Sequence, residues 1–219
     1  MGAWTYSKLL DYGIGPFGGE ALGGAGFQNW NNLRSEWGVS TSDQTHRVVF
    51  NAVYDLPGFN NSSNAWLKRI FGGWQVGGIV SLLSGGPLGV GSAVNNTFSQ
   101  GGGQRPNWNG VQPAVGTRNP DQWLNASAFS TPATYAYGNS PRTFGGTRGD
   151  RARNLDLTIG KNIQIHERLR LQIRSEFFNL TNTARFAPPN QTFGNPLFGF
   201  VTSQLNQPRI IQFGLKLLY

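Results

Sequence analysis

The 219-residue sequence contains no cysteine and only two histidines, which limits the chemistry available to it. Without thiols it can form neither a disulfide framework nor a thiolate metal site. Charged residues are also scarce: they make up 13% of the chain, whereas a soluble domain usually carries about 25%. Thirty-one glycines and many uncharged polar residues take their place. Such a composition suits long polar loops and a hydrated but weakly charged interior surface.

Long hydrophobic runs are absent as well. No stretch approaches the roughly 18 apolar residues that a membrane-spanning helix requires. Residues 1–8 have neither a basic region nor an apolar core, so no signal peptide is visible there. The net charge of +8 comes from dispersed basic residues rather than from a block of them, and we expect no nucleic-acid partner.

The sequence also lacks the arrangements that catalysis requires. The ten acidic residues are scattered, and His46 and His166 have no partnering motif nearby. The glycine-rich segment 145–149 resembles a phosphate loop only superficially, because the Lys-Ser/Thr pair is missing. We therefore expect no enzyme activity, no catalytic residues, no cofactor and no metal site.

What the chain does have is alternation, most visibly at its end. In residues 209–219 every second side chain is apolar, and the members of this row are Ile211, Phe213, Leu215, Leu217 and Tyr219. Gln212, Gly214 and Lys216 lie between them. A strand of about 9–11 residues with one apolar face is the unit of a transmembrane β-barrel. The alternative is the terminal strand of a soluble β-sandwich.

Similar segments occur upstream, near residues 3–8, 45–55, 74–84, 153–163 and 168–178. In the clearest of them Leu169, Leu171, Ile173 and Phe177 share one face, and Arg170, Gln172, Arg174 and Glu176 share the other. A charge on the lipid face near the membrane midplane costs about 2–4 kcal/mol. We therefore predict that Arg170, Gln172, Arg174 and Glu176 face the lumen of a barrel.

The lengths of the connections alternate too. Segments 9–44, 85–152 and 179–208 are long, whereas 56–73 and 164–168 are shorter. Outer-membrane barrels have short periplasmic turns and longer extracellular loops. Counted back from a periplasmic C-terminus, every long segment falls outside. The pattern predicts an all-β, antiparallel up-and-down meander: a partial, open transmembrane β-barrel of about 5–6 strands with long extracellular loops.

Two connections contain aromatic residues of interest. Within 56–73, residues 65–71 have the pattern of a short amphipathic helix near the membrane interface, with Trp66 and Phe71 as anchors. An irregular turn is the alternative. Loop 85–152 holds five aromatics that are candidates for ligand contact, or that simply pack the loop: Trp108, Trp123, Phe129, Tyr135 and Tyr137.

Five stretches together resemble the end of TonB-dependent outer-membrane receptors, in particular the Oar-like subgroup with a carboxypeptidase-regulatory-like N-terminal domain. They are THRVVFNAVYDLP (45–57), FGGWQVGGIVSLLSGGP (71–87), RNLDLTIGK (153–161), LQIRSEFFNLTN (171–182) and the terminal IIQFGLKLLY. The final eight residues resemble the C-terminal assembly signal of such barrels, with Gln212, Gly214, Leu217 and Tyr219 in its named places.

The resemblance implies that residues 1–219 are the C-terminal part of a barrel of about 22 strands around a plug, in the outer membrane of a Gram-negative bacterium. The plug, the signal sequence and the TonB box have no counterpart in this sequence, so we expect Met1 to be an internal or artefactual start. The implied function is solute uptake. The implied partners are outer-membrane lipid, the barrel assembly machinery, the rest of the barrel and its plug, and indirectly the TonB system. A small porin-like barrel and a secreted or surface carbohydrate-binding β-sandwich are the alternatives.

Overall fold

The main element of the computed structural model is a six-stranded antiparallel sheet. The structure describes residues 1–13, 27–29, 31–58, 63–98, 103–116, 118–166 and 169–219. The strands are β1 (Gly2–Tyr6), β2 (His46–Asp55), β3 (Trp74–Leu83), β4 (Ala152–His166), β5 (Leu169–Phe178) and β6 (Ile210–Leu218). They pair in chain order, and β1 and β6 form the two open edges. The predicted all-β antiparallel meander is confirmed.

Because neighbouring strands run in opposite directions, consecutive connections lie at alternate ends of the sheet. Connections 7–45, 84–151 and 179–209 share one end, which we call the loop end. At the opposite end, the turn end, helix α1 (Ala65–Phe71) lies between β2 and β3. The predicted helix is therefore present. Across the described residues, no helix is both long enough and apolar enough to cross a membrane.

Two strand boundaries differ from prediction by more than one residue. β4 continues to His166, which pairs with Leu169 beyond a register shift after Gln164, so the connection predicted at 164–168 is shorter than expected. Residues 167–168 of that connection lie outside the described residues. β1 ends at Tyr6 rather than at residue 8, because the Leu9 N–H donates to Asp43 and turns the chain into the loop.

The register aligns the alternation of all six strands, so the sheet has one largely apolar face and one face that carries most of the polar residues. Leu171 of β5 lies opposite Ile163 of β4 and Leu217 of β6. Gln172, one residue along, lies opposite Asn162 and Lys216. A slip of one residue in any pair would exchange the two faces. The apolar row of β6 that the sequence predicts is thus part of a continuous apolar surface.

The buried core lies in the loops rather than on the sheet. It comprises Leu88, Val90, Trp123, Leu124, Ala128, Phe129 and Phe144. Short strand pairs frame it: Leu10–Asp11 with Gly38–Val39, Pro87–Leu88 with Phe144–Arg148, Gly91–Ser92 with Thr192–Phe193, and Asn107–Trp108 with Phe129–Ser130. The 3-10 helices Leu33–Glu36 and Ala126–Ala128 complete it. We call the described residues of the three long connections the loop cap.

Candidate functional site

Most side chains of the apolar face are exposed or only half-buried. On β6 every residue is exposed, and Phe213 and Leu215 reach 79% and 73%. Soluble monomers rarely expose contiguous apolar patches larger than a few hundred Å². The opposite face holds polar residues that water can hydrate. Such a sheet suits a boundary between hydrocarbon and water.

Aromatic side chains mark both ends of this apolar face. Trp4 and Tyr6 of β1 lie near the loop end, and both rings contact the ring of His46. Tyr54 and Trp74 lie at the turn end, on the same face as each other through the β2–β3 register. Trp and Tyr rings concentrate at the two membrane–water interfaces because one part is apolar and the other is polar. The aromatics therefore flank the apolar face at both ends, as the aromatic girdles of a membrane-facing surface do.

The ammonium of Lys161 lies within the apolar row of β4 and is covered by helix α1. Its Nζ donates to the carbonyl oxygens of Ile70, at 2.5 Å, and Gly72, at 3.3 Å. The same ammonium lies 4.5 Å from the centre of the Trp74 ring. Carbonyl groups at the C-terminal end of a helix lack intrahelical partners and carry partial negative charge. The helix end thus solvates a charge that lipid could not.

The polar face brings together the four side chains predicted to face a lumen. Arg174 contacts Glu176 at 3.3 Å, and Glu176 also accepts a hydrogen bond from Gln212. Gln172 donates to Asn162 at 3.2 Å, and Arg170 donates to Gln164 at 3.3 Å. These contacts satisfy the side chains of this face among themselves.

Buried ion pairs join the loop connections to each other. Arg105 binds Glu36 through both terminal nitrogens, at 2.7 and 2.8 Å, and the two side chains are only 2% and 0% exposed. Arg148 pairs with Asp43 at 2.8 Å, and Arg142 pairs with Asp11. Each pair links connection 84–151 to connection 7–45. Charged pairs of this kind lose hydration on burial, so their geometry has to be good.

A further ion pair links connection 84–151 to the third long connection, 179–209. Arg118 binds Asp150 at 2.8 and 2.5 Å and also donates to the Ala184 carbonyl at 2.5 Å. Asp150 accepts the Phe186 N–H at 2.8 Å as well. The loop cap is therefore one interlocked unit with a hydrophobic core and ionic links between its segments.

Two acids of these pairs, Asp43 and Asp150, have a lowered pKa. Burial by itself would raise the pKa of Asp150, but hydrogen bonds from Arg118 and from the Phe186 N–H hold the pKa below its ordinary value. Burial likewise opposes ionisation of Asp43, and bonds from the Leu9 N–H and from Arg148 lower its pKa. For Arg118, the hydrogen bond to Asp150 raises the pKa.

An open antiparallel sheet with one lipid-like face, interfacial aromatics and a large loop cap indicates a membrane barrel. The family model described as "Outer membrane beta barrel domain" matches residues 1–212. The chain belongs to this outer-membrane barrel family. No curated protein and no solved structure gives a match. The family places the chain in the outer membrane.

In this outer-membrane barrel chain, the terminal strand divides the predicted assembly residues between its two faces. Gln212 and Gly214 lie in the polar row, opposite Glu176 and Arg174. Leu217 lies in the apolar row opposite Leu171, and Tyr219 follows the end of the strand fully exposed. Their role as an assembly signal stays a prediction.

The five loop aromatics of this barrel chain divide into two groups. Phe129 is buried in the cap core, and Trp108 and Phe129 both meet Phe144 edge-on. Trp123 is buried and donates to the Arg148 carbonyl at 3.0 Å. These three positions favour the packing alternative. Tyr135, 79% exposed, and Tyr137 lie on the surface, where they are available for contact with a ligand.

The sequence interpretation missed the ion pairs. Glu36 and Arg105 are 69 residues apart in the chain, and nothing local marks them as partners. The one usable signal is compositional: a chain with only ten acidic residues places four of them, Asp11, Glu36, Asp43 and Asp150, against arginines of the cap.

Proposed function

We propose that the chain forms the C-terminal part of the barrel of a TonB-dependent outer-membrane receptor of the Oar-like subgroup, which takes up a solute. The observation that carries the proposal is the combination of an open barrel wall with a folded loop cap. The five stretches on which the resemblance rests contain most of the residues of β2 to β6. A receptor has to recognise its solute before admitting it, and an ordered cap offers a surface for this.

The sheet edges support a larger barrel. Within the described part of the chain, β1 and β6 each have a single neighbour, so one row of backbone N–H and C=O groups on each has no partner strand there. In hydrocarbon such groups cost several kcal/mol each, and closed barrels avoid that cost. In the proposal, further strands of the receptor barrel pair with both edges. The polar row of Arg170, Gln172, Arg174 and Glu176 then faces the plug or water.

Orientation follows from the same proposal. With the C-terminus in the periplasm, the turn end and helix α1 lie at the periplasmic interface, and the loop cap lies outside the cell. The partners are then lipid along the apolar face, the assembly machinery at the terminal strand, and the TonB system through the plug. We expect no catalysis and no nucleic-acid binding.

Two measurements test the proposal. The reading frame upstream of Met1 should encode a plug and further barrel strands, and an unrelated or non-coding upstream region would contradict the receptor. The full-length protein, reconstituted in a planar lipid bilayer, should give no steady conductance because the plug closes the lumen. Open ohmic channels would instead support the porin-like alternative.

A further inference from the structure

A cavity of 340 Å³ lies at the foot of the loop cap. Gln44, Ser84 and Asp150, which lie next to the loop-end termini of β2, β3 and β4, form part of its wall. Leu88 and Phe186 supply apolar surface. Pockets for small organic ligands are about 300–1,000 Å³ and are mostly apolar with a few polar groups. The cavity has the size and lining for a small ligand.

The wall of this cavity also holds an arginine without a partner. The Arg185 Nε is buried and has no hydrogen-bond acceptor among the described residues. Buried polar groups in proteins nearly always have a partner, so an exception calls for an explanation. Because the Nε itself is shielded from solvent, an anion that enters the cavity would bind through the terminal nitrogens of this guanidinium.

The acids in the same wall are already engaged. Asp43 pairs with Arg148 at 2.8 Å. Asp150 uses both oxygens on Arg118, at 2.8 and 2.5 Å, and one of them also accepts the Phe186 N–H. Counted with their partners, these two acids are matched by two arginines, and the charge of Arg185 is left over. The cavity wall therefore favours one negative charge.

The backbone around Arg185 is held in place before any ligand arrives. Its N–H donates to the Asn206 side chain at 2.8 Å, and its carbonyl accepts the Leu205 N–H at 2.8 Å. The next residue, Phe186, is tied to Asp150. A group that is already positioned loses less conformational entropy when it binds.

We propose that this cavity binds a small organic monocarboxylate, with its carboxylate on Arg185 and its apolar part against Leu88 and Phe186. The planar guanidinium matches the carboxylate fork and can donate two parallel hydrogen bonds. A phosphate dianion would need a second unpaired cation, and the apolar wall would remain unused. The inference deepens the proposed function. It rests on that function for the uptake of the bound carboxylate, whereas the binding itself does not depend on it.

The test is ligand-observed saturation-transfer NMR on the full-length protein in outer-membrane vesicles, with phenylacetate as the probe. Its neutral isostere phenylacetamide and inorganic phosphate are the comparison ligands. The variants are Arg185→Gln, which removes the charge, and Arg185→Lys, which keeps it. Arg69→Gln, an exposed residue on α1 at the opposite end of the sheet, is the matched control.

We expect phenylacetate to bind in the millimolar range or tighter and phenylacetamide to bind about tenfold more weakly or worse, because a charge-assisted hydrogen bond is lost. Arg185→Gln should lose phenylacetate to a similar extent, Arg185→Lys should retain part of the binding, and Arg69→Gln should match the wild type. Equal binding of acid and amide, tighter binding of phosphate, no binding of phenylacetate, or an unchanged Arg185→Gln variant would each overturn the proposal.

Two features keep the result interpretable. If Arg185→Gln does not fold, the comparison of acid with amide on the wild-type protein still decides. Binding is also measured without transport, so a failed carboxylate site leaves the receptor proposal standing. Conversely, an open channel in the bilayer experiment would end the receptor proposal without affecting the site.

Discussion

Replacing Glu36 with glutamine should open the loop cap. Both carboxylate oxygens of Glu36 bind Arg105, and Oε1 also accepts the Gln28 N–H at 3.1 Å. The carboxylate is completely buried. A glutamine in its place leaves the Arg105 charge buried without a counter-charge and turns one acceptor into a donor that faces the guanidinium. The change therefore removes the negative charge of the pair and leaves the guanidinium of Arg105 buried.

The expected magnitude is large. Removing one partner from a buried ion pair costs about 3–5 kcal/mol. With about 1.4 kcal/mol per tenfold change, the closed cap loses roughly two to four orders of magnitude against its open form. Connections 7–45 and 84–151 should separate, because Arg105 and Glu36 belong to different connections. The wall strands, whose register does not involve these residues, should stay assembled.

The assay is limited proteolysis from outside intact cells, followed by detection of the cleaved loop fragments. Asp121→Asn is the matched control, since Asp121 is an exposed acid of the same cap whose carboxylate forms no ion pair with any described residue. A double change, Glu36→Leu with Arg105→Met, should restore much of the resistance, because apolar replacement of a buried pair is often neutral. Cleavage of Glu36→Gln at the rate of Asp121→Asn would refute the reasoning.

Three further predictions concern other parts of the chain. Lys161→Met removes the donor to the Ile70 and Gly72 carbonyls, so segment 63–71 should be cleaved faster in permeabilised cells, whereas Lys216→Met on the polar face should change nothing; equal rates would contradict the role of Lys161. The pKa of Asp150 is held below its ordinary value, so its contribution to cap stability is complete above about pH 4 and is lost as the pH falls through the lower folded-state pKa. Protease resistance of the cap should therefore fall as the pH is lowered below about 4, and Asp150→Asn should make the resistance depend less on pH. Deleting Tyr219 from the full-length protein should sharply reduce its assembly, measured by outer-membrane fractionation, and normal insertion would count against the assembly signal.

The wall of the barrel could be predicted because its signal is local. Successive side chains of a strand point to opposite faces, so the alternation of Arg170 and Leu171 reports the face of each directly. By the same rule, Lys161 lies in the apolar row of β4. It could not show what solvates that charge in an apolar row. The answer is a contact with helix α1, which precedes β3 in the chain, whereas Lys161 lies on β4.

The loop cap could not be predicted in the same way. Its ion pairs join residues far apart in the chain, such as Arg142 with Asp11, and which loops meet depends on the whole arrangement of connections. The aromatics were equally ambiguous: a tryptophan such as Trp123 serves packing and ligand contact equally well, and only the folded cap distinguishes it from the exposed Tyr135. Arg185, whose Nε has no acceptor among the described residues, has no sequence signal at all.

The most direct test of the central claim asks which face of the sheet meets lipid. The absence of native cysteine allows single cysteines at positions 171, 172, 173 and 174 of β5 to be spin-labelled one at a time. Collision with oxygen, which concentrates in lipid, and with a water-soluble nickel complex is then measured in outer-membrane vesicles. The account predicts that labels at Leu171 and Ile173 collide mainly with oxygen and those at Gln172 and Arg174 mainly with nickel. Uniform access to nickel, or the reverse alternation, would contradict a sheet that spans the membrane with its apolar face towards lipid.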